Sequence, residues 1–372
     1  MIRKFYHFLC LLMVLVMLVG IFAGSTSLIT SLQGTVPTLP STSAPAATTV
    51  PITTAPIPSL PEEIDPIPVQ PITIQSRLIK KLPVLFAPDP TYTEPEPVIP
   101  QVDIPKLNAK DAFVYDLRTN TFWYNSAEVD KSIYPASTTK LFTTYVALQY
   151  LKLDQTVKVG SELSYVKSDA AKVGFLKGDV VRVEALVYSA LLPSGCDASY
   201  ILAAAAGRVI LNDSNATAKK AIEAFMEECN RWAAEMGMEN THFVTADGYH
   251  HKQHRISLQA FAIIAGLYME DEALSRIAAT SSVTITYKNS QGKTCTKQLQ
   301  NTNLSLQSSN PQAYHPQVVG LKTGYTDSAG YCLLNVYQVE DGYLVVGVFG
   351  CSSTEKRFQD ANCLFDTFAP YC

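Results

Sequence analysis

Apolar and polar positions divide this chain into three regimes. From Phe5 to about Ala23 it is uncharged and apolar, close to the ~20 residues that a bilayer-spanning helix needs. From 25 to 104 the periodicity vanishes, and stretches such as TVPTLPSTSAPAATTVPITTAPIPSLP and EPEPVIPQ are rich in Pro, Thr and Ser. Proline removes backbone donors and favours extended conformations, so this stretch reads as a semi-stiff spacer. From about Pro105 the pattern turns globular. DAFVYDLRTNTFWYN (111–125) predicts two apolar strands around an Arg-Thr-Asn turn. After Pro135, STTKLFTTYVALQYL has apolar residues at helical spacing. CDASYILAAAAGRV and ATAKKAIEAFMEECNRWAAEMGM predict two more helices, the second ending near Gly237. PQVVGLKT, AGYCLLNVY and YLVVGVFG predict strands, the last two joined as a hairpin at Glu-Asp-Gly. TEKRFQDANCLFDTFAPYC predicts a closing helix. Strands at both ends of a helical middle point to an α+β domain over 105–372 whose terminal strands share one sheet.

Composition adds three constraints. A hydrophobic content of 47% with 17% charged residues suffices for one large core. The net charge of −4 leaves no basic footprint for nucleic acid, which is not an expected partner. Arg3 and Lys4 precede the apolar run and no charge follows until Glu62, so the body is expected outside the cytoplasm. Residues 1–24 read as an uncleaved membrane anchor; a cleaved signal, with Ala23-Gly24-Ser25 as the peptidase site, is the alternative. At ~3.1 Å per residue the spacer reaches on the order of 100 Å or more from the bilayer. The basic apolar island SRLIKKLPVLF (76–86) either touches that membrane or packs locally.

Candidate chemistry lies in three short motifs. Ser-x-x-Lys occurs at Ser137–Lys140, Ser164–Lys167, Ser290–Lys293 and Ser353–Lys356, but only the first begins a strongly apolar helix. A three-residue offset puts the amine one turn above the hydroxyl on the same face. A neutral amine there takes the serine proton once burial and a second cation lower its pKa. Lys322, in VVGLKTGYTD, offers that cation at the end of an apolar strand, and Gly324 lets another backbone approach. An extended peptide could add along this edge; read alone, the motif is a strand ending in a polar turn. Between the two lies Ser194-Gly195-Cys196.

Ser-x-x-Lys, Ser-x-Asn and Lys-Thr-Gly form the signature set of penicillin-binding proteins and serine β-lactamases, and here the middle motif ends in cysteine. DAFVYDLRTNTFWYN, YPASTTKLFT, VGFLKGDVVRVEALVYSALLPSGCDAS, MGMENTHFVTADGYH, NTN and VVGLKTGYTDSAGYCLL resemble, in order, the low-molecular-mass penicillin-binding proteins, serine-type D-alanyl-D-alanine carboxypeptidases of bacterial cell walls. The resemblance covers roughly 105–372. It implies the penicillin-binding/β-lactamase-like transpeptidase fold, an antiparallel sheet flanked by helices with a helical subdomain. It also implies peptidoglycan stem peptides ending in D-Ala-D-Ala as substrates, β-lactams as covalent inhibitors, and no metal or organic cofactor. Carried over, Ser137 is the nucleophile, Lys140 its proton acceptor and Ser194 a relay to the leaving group. Lys322 tunes the local charge and Thr323 holds the substrate carboxylate. The N–H groups of Ser137 and Tyr325 form the oxyanion hole. Arg357 either steers the carboxylate or is a solvated helix residue.

Cysteine cannot reproduce the double contact of an asparagine amide, having one weak donor and no carbonyl. Cys196 is therefore expected to line the cleft near Lys140 and to alter substrate grip or rate, and an uncrowded thiol there is a candidate oxidation point. If Asp341-Gly342 is the hairpin loop, Cys332 and Cys351 stand opposite each other, and free thiols are favoured over a strained bridge. His250, His251 and His254 resemble a metal cluster, but Gly248 indicates a loop, and the resembling family keeps a histidine near Ser257 without metal. Three rivals stay open. A β-lactamase needs a carboxylate that activates water, and no Glu-x-x-x-Asn loop supplies one. A non-catalytic peptidoglycan or β-lactam sensor would explain Cys196. A D,D-endopeptidase would use the same motifs.

Overall fold

The computed structural model describes residues 99–372. The apolar run, most of the spacer and the island at 76–86 lie outside the described residues. Among the described residues no helix is long and apolar enough to cross a membrane. In chain order the strands are β1 (Asp111–Asp116), β2 (Thr121–Asn125), β3 (Ser132–Ile133), β4 (Thr156–Lys158), β5 (Val180–Arg182), β6 (Ile256–Ser257), β7 (Ser282–Lys288), β8 (Thr294–Gln300), β9 (Val318–Thr326), β10 (Gly330–Val339) and β11 (Gly342–Cys351). The helices are α1 (Thr139–Leu148), α2 (Val183–Leu191), α3 (Cys196–Ile210), α4 (Ala218–Glu235), α5 (Leu258–Glu270), α6 (Glu272–Ala278) and α7 (Thr354–Phe368).

The main sheet has the order β2-β1-β11-β10-β9, antiparallel throughout. Both chain ends of the domain therefore meet in one sheet, as the sequence predicts. Strand β1 is buried at all six positions, and the pleat explains why. Ala112 and Val114 face one core with Phe358, Leu364 and Phe365 of α7, while Phe113 and Tyr115 face the other with Phe142 and Phe261. A strand covered on both faces needs apolar residues at every position rather than at alternate ones. Strand β9 ends the sheet, leaving one edge unpaired by any strand beside the helical middle. The helical subdomain is built around α3, whose alanine-rich run Ala203–Ala206 is buried. A Cβ on Gly207 would lie 1.8 Å from the Ala221 carbonyl, so glycine permits the backbone-to-backbone contact of α3 with α4.

Two details differ from expectation. Val339 pairs with Gly342, so the hairpin loop is Glu340-Asp341, and the register shifts between Tyr331 and Leu333. That shift places Tyr331, not Cys332, opposite Cys351. The seven cysteines of the described residues are free thiols. The strands β4, β5, β7 and β8 form a separate small sheet absent from the sequence reading. Exposed polar residues alternate through β7 and β8, which weakens any apolar signal.

Candidate active site

Ser137 sits in a tight 3-10 turn (Ala136–Thr138) immediately before α1 rather than in its first α-helical turn. Ala136 adopts φ +49°, a left-handed conformation that costs a non-glycine residue energy and persists only where neighbours fix it. Here the fixing is visible. Thr138 Oγ1 donates to the Pro135 carbonyl at 2.5 Å and Thr139 Oγ1 donates to the Ala136 carbonyl at 2.8 Å. Thr139 is in turn held by His254 Nε2 at 3.0 Å. His254 Nδ1 receives the Val244 and Thr245 N–H groups at 3.2 and 3.1 Å, so the ring proton belongs on Nε2, which donates to Thr139. Of the three clustered histidines, His254 is thus a buried neutral brace for the nucleophile's turn. His250 instead packs edge-on to Tyr134, and His251 is exposed.

Burial holds the His254 imidazole far below its ordinary range, at about 3, with His242 and His251 adding to the effect. Between pH 6.5 and about 3 the unfolded chain therefore binds a proton that the folded chain does not. Stability carried by the neutral ring is complete above pH 6.5 and falls by about 1.4 kcal/mol per pH unit as the pH drops through that window. Urea unfolding from pH 7 to 4 should show this slope for the native protein and a shallower one for His254→Gln. Equal slopes would refute the brace's neutrality.

Lys140 is fully buried on α1. Its Nζ donates to Ser137 Oγ at 2.8 Å and to the Asp247 carbonyl at 2.7 Å. The expected serine–lysine pair is therefore formed. Lys322 is buried on β9 and its Nζ donates to the Thr323 carbonyl at 3.1 Å. Burial pushes its amine well below the ordinary lysine range, with nearby Lys140 and Arg357 adding in the same direction. Thr323 Oγ1 meets Thr302 Oγ1 at 2.7 Å, and Thr302 also donates to the Leu192 carbonyl at 3.2 Å. Thr302 of the NTN triplet thereby ties strand β9 to the segment carrying Ser194. Gly324 does allow a close approach, but by the nucleophile's own turn: a Cβ there would lie 3.0 Å from Ser137 N.

Ser194 also has positive φ, +63°, in the bend between α2 and α3. Cys196 opens α3 and is 5% exposed. Burial, opposed by Lys140 and reinforced by Asp247, pushes its thiol up to about 11. A covered thiol with so little thiolate is a poor target for oxidants, which corrects the expectation of an uncrowded oxidation point. Its neighbour Asp197 receives the N–H groups of Val173, Gly174 and Phe175 at 2.7–3.2 Å and so ties that segment to the start of α3.

Arg357 lies on α7 but is not solvated. It is 7% exposed, its Nη1 donates to the Gly324 carbonyl at 3.3 Å, and its guanidinium lies 5.6 Å from the Tyr331 ring centroid. Burial lowers it to about 10, leaving it a cation at neutral pH. Ser137, Ser194, Cys196, Thr323, Gly324, Tyr325 and Arg357 all line one cleft of about 670 Å³. Lys140 and Lys322 lie beneath them, so the structure assembles all nine residues expected from sequence around one cleft. The sequence reading missed Asp247 and Thr302 as site residues. Thr302 lay within the matched NTN triplet, and Asp247 precedes Gly248, where Asp-Gly signals only a turn.

Three comparisons bear on this arrangement. A model of the D-alanyl-D-alanine carboxypeptidase family matches residues 98–352. The D-alanyl-D-alanine carboxypeptidase of Streptomyces sp. strain K15 is 29% identical over 263 residues, 69% of this chain and 86% of that protein. The Bacillus subtilis D-alanyl-D-alanine carboxypeptidase DacF is 26% identical over 269 residues, 71% of this chain and 63% of that protein. The solved Streptomyces K15 DD-transpeptidase superposes with a TM-score of 0.63 at 28% identity, over 72% of this chain and 98% of that one. Variants of that protein are solved with a cysteine exchanged for asparagine or alanine, and with the serine two positions earlier exchanged for alanine. This is the spacing of Ser194 and Cys196.

Proposed function

Because the chain belongs to the D-alanyl-D-alanine carboxypeptidase family, a family of serine-type hydrolases with the penicillin-binding fold, we propose a specific division of labour in its cleft. Ser137 attacks the penultimate D-alanine carbonyl of a stem peptide ending in D-Ala-D-Ala, Lys140 takes its proton, and Ser194 relays a proton to the departing D-alanine. The observation that carries this reading is the 2.8 Å contact of Lys140 Nζ with Ser137 Oγ, beneath a cleft that also holds Ser194, Thr323 and Arg357. General acid–base transfer needs this heavy-atom reach. The cationic Arg357 and the Thr323 hydroxyl supply the charge and the donor that a terminal carboxylate requires. The unpaired edge of β9 suits an extended peptide, and the N–H groups of Ser137 and Tyr325 serve as oxyanion donors. Water then cleaves the Ser137 ester; a β-lactam forms the same ester and stays. The apolar run at 5–23 and the proline-rich spacer support a catalytic domain held outside the cytoplasm at a bacterial membrane.

A second reading has its own support. The structural neighbour from Streptomyces K15 is named a DD-transpeptidase and has the same serine-to-cysteine spacing. In that reading the acyl group passes to an amine instead of water. Incubating the full chain in detergent with a Lys-D-Ala-D-Ala peptide, with and without glycylglycine, separates the two. Free D-alanine with a shortened peptide supports hydrolysis, and an adduct of peptide and glycylglycine supports transfer. Neither product, and no mass increase with benzylpenicillin, would reject both in favour of a non-catalytic sensor. Cys196→Ala is expected to keep benzylpenicillin acylation within about tenfold of native, since a weak S–H donor contributes no more than an ordinary hydrogen bond of ~1 kcal/mol. A larger loss would assign the thiol a chemical role.

A further inference from the structure

Two groups are assigned above to the substrate's terminal carboxylate, and they are held very differently. Arg357 donates to the Gly324 carbonyl and lies over the Tyr331 ring. The Thr323 hydroxyl has one hydrogen-bond partner among the described residues, Thr302 Oγ1 at 2.7 Å. The Asn-Thr-Asn triplet that supplies this partner is firmly placed. Asn301 and Asn303 are buried, whereas Thr302 between them lines the cleft. The Asn301 side chain donates to the Thr280 carbonyl at 2.9 Å and receives the Asn303 N–H at 2.9 Å. The Asn303 side chain donates to Asn335 of β10 at 2.8 Å. A threonine hydroxyl has one proton and two lone pairs. If Thr323 donates to Thr302, it presents only lone pairs to an arriving carboxylate, and these repel it. If it accepts from Thr302, its own proton stays free for the carboxylate. The structure permits this second arrangement at little cost. The Leu192 carbonyl, which the Thr302 hydroxyl reaches at 3.2 Å, already receives the Thr302 N–H at 3.0 Å. Turning the hydroxyl from Leu192 to Thr323 therefore orphans no acceptor.

We propose that Thr302 is a positioning residue for carboxylate recognition: its hydroxyl donates to Thr323 and so commits the Thr323 proton to the substrate's terminal carboxylate. This rests on the carboxylate role given to Thr323 above and deepens it. Thr302 acts through Thr323, and a chain of donors running from Thr302 to Thr323 to the carboxylate strengthens each bond over the isolated one. The effect falls on selectivity rather than on the chemistry at Ser137. Removing the Thr302 oxygen weakens the grip on ligands that carry the carboxylate. It leaves neutral ligands alone, because the Ser137–Lys140 contact involves neither threonine.

The test compares benzylpenicillin with its methyl ester, which lacks the free carboxylate. Second-order acylation rates of the full chain in detergent are read by intact-protein mass. The native protein should prefer the free acid. In Thr302→Val, which keeps the shape and deletes the oxygen, that preference should fall about tenfold, as expected for one hydrogen bond serving a charged group. The ester rate should stay within about twofold of native, and Thr302→Ser should restore the preference. Thr323→Val should lose the preference as well. The double variant Thr302→Val with Thr323→Val should lose no more than Thr323→Val alone, because a residue that acts through another adds nothing once the other is gone. Thr302→Ala removes the same oxygen with less bulk and is read in the same way. An unchanged preference in Thr302→Val and Thr302→Ala overturns the proposal. Equal losses for acid and ester overturn it too, because they mark a structural role, and so do additive losses in the double variant. A native chain that takes acid and ester equally instead overturns the carboxylate reading on which the proposal rests, and one that is not acylated at all overturns the acyl-enzyme reading.

Discussion

Ser137→Ala should abolish the benzylpenicillin adduct and reduce D-alanine release by at least about 10⁴-fold, roughly 5.5 kcal/mol of transition-state stabilisation. The loss is large because the ester forms on Oγ and, among the described residues, no other hydroxyl lining the cleft has a lysine amine at hydrogen-bond distance. Among the described residues no base is hydrogen-bonded to the Ser194 hydroxyl; its carbonyl accepts the Cys196 S–H at 3.8 Å. Cys196 is buried with its thiol held up at about 11, so it does not substitute as a thiolate. Folding should be nearly unaffected. Lys140 keeps its bond to the Asp247 carbonyl, and the turn is fixed by Thr138, Thr139 and His254 rather than by Ser137. Intact-protein mass spectrometry after β-lactam exposure, beside a thermal melt, gives the answer. An adduct that persists in Ser137→Ala would remove Ser137 from the nucleophile's role.

Much of this site was legible in sequence because its parts are short, local and chemically distinctive. Ser137 and Lys140 are three residues apart, so helical geometry alone brings them together. Lys322, Thr323 and Gly324 end a strand whose apolar run is unmistakable. Arg357 was ambiguous because exposure is a property of packing. Only the approach of α7 to the Gly324 carbonyl makes it a cleft residue. Asp247 and His254 were harder still. Their roles depend on a loop with almost no periodicity that passes beneath Ser137, so no local pattern marks them. The Cys332–Cys351 register failed for a different reason. A bulge shifts pairing by one or two residues, and no residue in AGYCLLNVY announces it.

The loop beneath Ser137 also predicts a large effect of a single methyl group on the site. Gly248 has φ +79°, and a Cβ there would lie 1.9 Å from the Ala136 carbonyl oxygen and 2.7 Å from Thr139 Oγ1. Those are the atoms that hold the left-handed turn before the nucleophile. Gly248→Ala must therefore either push the Pro135–Ser137 turn outward or move the loop that carries Asp247. Gly237 supplies the control, with φ +69° and nothing within 4 Å of an added Cβ. Gly237→Ala should lose only the backbone preference, about 1–2 kcal/mol, with acylation unchanged. Gly248→Ala should lose that amount plus an overpacking contribution of about 1–3 kcal/mol. Acylation should fall about 100-fold, because a displacement near 1 Å at the reacting atom is enough for that. Urea unfolding and acylation rates on the two variants compare the same substitution with and without the clash. If the two behave alike, the turn before Ser137 is not held by this contact, and the strain at Ala136 has another support.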